Sequence, residues 1–372
     1  MTMKIPFLDL SRATQERRDV IDEGIKRVVD SGWYILGPEV EAFENEFSNF
    51  CECRHAIGVG NGLDALRIAL MALEIGPGDE VIVPGNTFIA TCLAVSQIGG
   101  VPVPVEPDPV THLIDPALIE ERVTSRTRAI IPVHLYGSPA DLDAIASIAR
   151  RHNLAVVEDA AQAHGAAYRG RRIGGHSTVT AWSFYPGKNL GAFGDGGALT
   201  TDDDDLANKI RTLRNYGSSR KYVNEVIGLN SRLAPIQAAV LRAKLPALIE
   251  WNARRKQIAK LYDEGLVNTN LVLPVTNAAC ESSWHLYVVR AGNRSEIQTS
   301  LAQQGIETIV HYPIPPHRQQ AYSGTPLAGC NLPVTDRLAD QVLSLPIGPH
   351  LSIEDATRVV DALRGTSIVA PN

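Results

Sequence analysis

Leu154-Ala155-Val156-Val157-Glu158-Asp159-Ala160-Ala161-Gln162-Ala163-His164-Gly165 is the stretch on which the fold turns. Leu154 to Val157 is apolar on successive positions, the mark of a strand covered on both faces, as in a mainly parallel sheet. Asp159 follows at the carboxyl end of that strand, where open α/β sheets place their ligands. A buried carboxylate needs a partner, because an unpaired one is costly. Taken alone, Asp159 reads as the cap of a following helix.

Outward from this strand, β-rich runs alternate with helical segments from about residue 56 to residue 201, the pattern of an α/β layer architecture. The expected strands are Ala56 to Gly60, Glu80 to Pro84, Val101 to Val105, Ala129 to His134, Leu154 to Glu158, Val179 to Phe184 and Gly197 to Thr201. Arg12 to Ser31 reads as one helix ending at Gly32, before an exposed-looking Trp33-Tyr34-Ile35-Leu36-Gly37. Val40, Phe43, Phe47 and Phe50 recur at helical spacing after Gly37-Pro38, and their rings read as core. After residue 234 the chain turns helical, with Leu241, Leu245, Leu248, Trp251 and Ile258 on one side. Beyond lie a strand at Trp284 to Val289, a helix near Ser295 to Gln304, and a final helix capped by Ser352 and Asp355.

At 372 residues and 44% hydrophobic content, the chain can bury a full core and divide into a large and a small domain. The formal charge of -6, with no Lys/Arg block, gives no footprint for nucleic acid or an anionic membrane. Met1 to Leu10 lacks the pattern of a secretory signal, and no apolar run approaches the ~20 residues of a membrane span, so a cytoplasmic protein is expected. Cys51, Cys53, Cys92, Cys280 and Cys330 show no paired C-x-x-C spacing and read as reduced thiols, with no metal site.

Two further motifs bring chemistry to Asp159. Val179 to Phe184 runs into Tyr185-Pro186-Gly187-Lys188-Asn189-Leu190-Gly191, a turn from which a lysine amine can enter the same crevice. Lysine forms imines with aldehydes, and a protonated pyridine nitrogen would suit the Asp159 carboxylate. Gly60-Asn61-Gly62-Leu63-Asp64-Ala65-Leu66 places glycine between a strand end and a helix, a turn that offers backbone N–H groups to a phosphate. It is not the G-x-G-x-x-G dinucleotide pattern. Ser183 can add a hydroxyl. The plain alternatives are a free surface lysine and an ordinary helix start.

The joint order N-G-L-D-A-L, E-D-A-A-Q-A-H-G, S-F-Y-P-G-K-N-L-G and G-D-G-G-A resembles the DegT/DnrJ/EryC1/StrS family of pyridoxal-phosphate (PLP) sugar aminotransferases, from about Pro6 to the C-terminus. The resemblance implies an aspartate aminotransferase-like (fold-type I) α/β fold, with a three-layer large domain over 1–245, a mostly parallel sheet, and a smaller α+β domain over 246–372. It makes Lys188 the Schiff-base lysine and Asp159 the partner of the pyridinium nitrogen. Gln162 would lie by the ring oxygen, Phe88 would stack on the ring, and Asn61, Gly62, Leu63 and Ser183 would hold the phosphate. Asn230 would reach across a homodimer to the partner's phosphate. Arg214, Tyr216, Lys221 and Tyr222 are candidates for the diphosphate of a sugar nucleotide, and Tyr185, His311 and Tyr312 for the sugar.

The implied reaction moves an amino group, with pyridoxamine phosphate as the carrier, from L-glutamate to a nucleotide-linked ketosugar. The best match is a TDP-linked 3-keto-6-deoxyhexose, giving a 3-amino-3,6-dideoxyhexose for polysaccharide or metabolite synthesis. Members acting at C4 of UDP or GDP sugars share the cofactor motifs. Lys188 separates the chain from relatives that carry histidine there and dehydrate sugars, and the intact Asp159, Ser183 and Lys188 set argues against a non-catalytic binder.

Overall fold

The computed structural model describes residues 4–366. Met1 to Met3, part of the stretch read for a signal, and the last residues from Ser367 lie outside the described residues. Two short helices open the chain, α1 (Leu10–Glu16) and α2 (Arg18–Ser31), followed by α3 (Pro38–Phe50). The single helix expected over Arg12 to Ser31 is thus broken at Arg17, whose φ of -113° leaves the helical region.

A seven-stranded sheet follows, made of β1 (His55–Val59), β2 (Glu80–Pro84), β3 (Val101–Val105), β4 (Thr127–Ile130), β5 (Ala155–Asp159), β6 (Val179–Ser183) and β7 (Gly197–Thr201). Its order is β1-β7-β6-β5-β4-β2-β3. The β3-β2-β4-β5-β6 run is parallel, and β7 lies antiparallel between β6 and β1. Every residue of β2 and of β7 is buried, as continuous apolar or small runs predict for strands covered on both faces. β4 ends at Ile130, short of the expected His134. Pro132 has no N–H for the ladder, although Val133 regains a parallel bridge to Asp159.

One face of the sheet is covered by α4 (Gly62–Ala72), α5 (Ile89–Gln97) and, beyond α6 (Leu142–His152), by α7 (Asp204–Leu213). On the other, Val40, Phe43 and Phe47 of α3 pack on Trp182 and Phe184, with the Phe47 and Trp182 rings edge to face at 5.3 Å. Phe43 and Phe47 are thus core, as the helical spacing expects, whereas Phe50 is only half-buried against them. Behind them lie α8 (Pro235–Lys244) and the start of α9 (Leu248–Leu266).

α9 leaves this core and enters a second. Ile258, Tyr262 and Leu266 pack with an antiparallel pair, β8 (Tyr287–Arg290) and β9 (Val342–Leu345), and with α10 (Arg294–Gln303) and a final helix, α11 (Ile353–Thr366). Ile5 joins the same core through a parallel bridge to Ile306. Ser352 Oγ accepts from Asp355 N–H at 3.0 Å, so the cap on α11 stands where its sequence placed it. The architecture is α/β with a mostly parallel central sheet. No helix among the described residues is long and apolar enough to cross a membrane, and the five cysteines are free thiols.

Candidate active site

The register of the sheet brings three strand ends together. Val59 of β1 and Ser183 of β6 both face Gly197 of β7, while Asp159 of β5 stands opposite Ala181 of β6. The motifs read separately in the sequence therefore meet at one carboxyl edge of the sheet.

At the β1 end, Asn61 caps α4: its Oδ1 accepts from Asp64 N–H at 2.8 Å and its carbonyl accepts from Ala65 N–H at 3.0 Å. That leaves the N–H groups of Gly62 and Leu63 as the first-turn donors of a helix whose positive end faces outward. A Cβ built at Gly62 would lie 2.6 Å from Ser183 Cβ, so only glycine allows the helix start to close on β6. Ser231 Oγ ties the turn down, accepting from Gly60 N–H at 2.9 Å and donating to Asp64 Oδ2 at 2.6 Å.

Asp159 is buried, and its carboxylate is anchored rather than free. Thr91 Oγ1 donates to Oδ2 at 2.9 Å, Ala161 N–H donates to Oδ1 at 3.2 Å, and Thr87 supports Thr91 at 2.8 Å. Burial raises the Asp159 pKa, against the lowering pull of Thr91, Ala161, Lys188 and His134. Thr91 and Thr87 were missed in the sequence. Their i,i+4 spacing in Thr87-Phe88-Ile89-Ala90-Thr91 is the signal that was available. The neighbouring Glu158 points to the opposite face of the strand, where it bonds His134 Nε2 at 2.8 Å and Thr180 Oγ1 at 3.2 Å. Ala140 N–H donates to His134 Nδ1, so Nε2 carries the proton given to Glu158.

Lys188 sits in the turn after β6, its N–H donating to Tyr185 O at 2.8 Å. Burial pushes its ammonium down to about 8, and the Asp159 carboxylate opposes that shift. A lysine so lowered carries more of the free amine that attacks an aldehyde.

Gln162 accepts from Tyr136 N–H at 2.6 Å and donates to Tyr312 Oη at 3.0 Å. Phe88, 51% exposed at the head of α5, has its ring 5.1 Å from that of Tyr312. His311 Nδ1 bonds Ser344 Oγ at 2.8 Å, and Tyr185 is exposed beside Lys188. Phe88, Gln162, His311 and Tyr312 are thus linked by direct contacts.

Other residues singled out in the sequence do not join this group. Tyr216, Lys221 and Tyr222 belong to an exposed hairpin, Tyr222 being 88% exposed, and no hydrogen bond or ring contact among the described residues connects them to Lys188, Asp159 or Gln162. Asn230 is exposed and bonds Arg232. Arg214 corrects an expectation. Its Nη1 donates to Gly58 O at 2.6 Å and pairs with Glu44, both side chains buried, so its charge is already answered inside the fold and not offered to a diphosphate. Arg214→Ala should cost about 3–5 kcal/mol by leaving Glu44 buried and unpaired. Urea unfolding would measure it; an unmoved midpoint with a raised sugar-nucleotide KM would restore the binding role.

These residues fit PLP. A buried carboxylate at a strand end suits the ring nitrogen, a lysine of lowered pKa suits the aldehyde, and a capped helix start closed against Ser183 suits the phosphate. Fold and site together define a PLP-dependent aminotransferase.

Residues 15–364 match the DegT/DnrJ/EryC1/StrS aminotransferase family. The chain is 56% identical to the erythromycin biosynthesis sensory transduction protein EryC1 of Saccharopolyspora erythraea, over 97% of this chain and 99% of that one. It is 55% identical to the dTDP-3-amino-3,4,6-trideoxy-alpha-D-glucose transaminase of Streptomyces venezuelae, over 98% and 96%. The crystal structure of S. venezuelae DesV in complex with a ketimine intermediate superposes with a TM-score of 0.97 at 54% identity, covering all of both chains. The chain belongs to the DegT/DnrJ/EryC1/StrS aminotransferase family.

Proposed function

We propose that the protein transfers an amino group from L-glutamate to C3 of a TDP-linked 3-keto-6-deoxyhexose, and that Lys188 and Asp159 carry the chemistry. The observation that carries the reading is the meeting of Lys188, its pKa lowered to about 8, with the buried carboxylate of Asp159. The activity named for the S. venezuelae relative, on a dTDP-linked 3-amino sugar, supports C3 and TDP over C4 of UDP or GDP sugars. PLP supplies an aldehyde that condenses with amines and a pyridinium that accepts electrons.

The protein's own groups do the rest. Lys188 would hold the cofactor's aldehyde through its amine, and that amine, when free, would serve as the general acid and base for the proton at the substrate carbon. Asp159 would keep the ring nitrogen protonated, and Thr91 and Thr87 hold the Asp159 carboxylate in place for it. Asn61 shapes the turn in which Gly62, Leu63 and Ser183 would hold the phosphate, while Phe88 and Gln162 would bound the ring. Tyr185, His311 and Tyr312 would receive the sugar. Exposure of Tyr216, Lys221, Tyr222 and Asn230 suits a homodimer in which this hairpin reaches a partner's site. A large domain over 1–245, a small one over 246–372, and a cytoplasmic place in deoxysugar synthesis complete the reading.

The test is a panel of purified TDP, UDP and GDP 3-keto and 4-keto sugars with L-glutamate, the position of the new amine fixed by NMR. Amination at C3 of the TDP sugar is the expected result. Turnover only with 4-keto sugars, or no turnover with any, would overturn it.

A further inference from the structure

We propose that a cavity beside Lys188, walled by Lys244 and Arg255, seats the carboxylates of the amino donor and so selects a dicarboxylic amino acid. The inference rests on the transaminase reading and adds the residues that recognise the donor.

The cavity encloses about 310 Å³ between the N-terminal segment, the turn after Lys188 and the helices α8 and α9. Leu8, Asp9, Pro186, Lys188, Lys244 and Arg255 are among the residues that line it; Asp159, Gln162 and Tyr312 are not. It therefore meets the lysine away from the Asp159 carboxylate. Its volume lies at the lower end of small-molecule sites and is sufficient for an amino acid.

Lys244 and Arg255 are 6% and 3% exposed, and neither forms an ion pair among the described residues. Lys244 Nζ donates to Gly191 O at 2.7 Å and lies 4.7 Å from the centre of the Phe193 ring. Arg255 Nη1 donates to the carbonyls of Trp284, His285 and Ile347, which are neutral, and no acceptor among the described residues bonds Nε or Nη2. Burial without a counter-charge pushes Lys244 down to about 8 and Arg255 down to about 10. The buried Arg214, by contrast, has Glu44.

The acidic wall of the cavity does not answer them. Asp9 caps α1 through Ser11 and Arg12 N–H and pairs with Arg12 at 3.3 Å, and His350 is bonded to Glu16 at 2.6 Å. A buried cation with no partner is costly, and an incoming carboxylate would supply one. Two such cations on one cavity match a donor with two carboxylates, seated in a space that Lys188 also lines.

The test uses the PLP-loaded protein with Lys244→Met, which removes a buried charge at nearly constant volume, and Arg255→Lys, which keeps the charge if the carbonyl contacts matter for folding. Bleaching of the visible cofactor band by L-glutamate is followed by stopped flow, and calorimetry measures the unreactive dicarboxylate maleate. The reverse half-reaction is driven with the aminated sugar nucleotide. Lys244→Met should weaken glutamate and maleate about tenfold or more, the loss of one charged hydrogen bond, with sugar-nucleotide affinity unchanged, and Arg255→Lys should fall between it and wild type. Unchanged maleate and glutamate binding in Lys244→Met would overturn the proposal, as would an equal loss for the sugar nucleotide, which would assign the cavity to the diphosphate. If no amino donor bleaches wild type, the transaminase reading fails by itself, while maleate still reports on the cavity.

Discussion

Lys188→Ala is expected to abolish turnover and the visible absorbance of the lysine-bound cofactor together. General acid–base catalysis alone contributes about 10²–10⁴-fold, and this variant also loses the covalent anchor. Lys244, the other lysine on the adjoining cavity, holds its ammonium on Gly191 O. Absorbance spectra of the PLP-reconstituted variant and a glutamate-dependent assay decide the matter. A variant that keeps both signals would remove Lys188 from the chemistry.

Asp159→Ala should weaken PLP by roughly a hundredfold or more, since stripping one partner from a buried charged pair costs about 3–5 kcal/mol. The carboxylate is held above its usual pKa by burial, and a cationic ring nitrogen beside it would favour its ionised form. The variant also frees Thr91, which would turn to Thr87 alone. Titrating PLP into the cofactor-free protein by fluorescence gives the dissociation constant. An affinity equal to wild type would mean that the ring nitrogen has another partner.

Local chemistry made much of this legible. The run Val156-Val157 marks a covered strand because both faces are apolar, and Asn61-Gly62 marks a helix start because an Asn side chain caps Asp64 N–H while glycine lets the helix approach Ser183. Ser352 and Asp355 made the last cap for the same reason, within three residues of one another. β4 ends before the expected His134 because Pro132, inside an otherwise apolar run, has no N–H for the ladder. The break at Arg17 has no local signal of proline or glycine, and nothing in the structure explains it.

What could not be read were partnerships across the chain. Arg214 looked available for a diphosphate because Glu44, which occupies it, stands 170 residues earlier. Thr91 reaches Asp159 across 68 residues; its i,i+4 spacing from Thr87 signals only the contact between the two threonines. The sequence by itself determined the strands, the helix starts and the chemical types at their ends, since these follow from backbone preferences and side chains a few residues apart. Only the tertiary structure decided which cations are answered and which, like Lys244 and Arg255, face a cavity without a counter-charge. Whether a charge is paired depends on burial and on neighbours brought together by packing, and neither is a property of the local sequence.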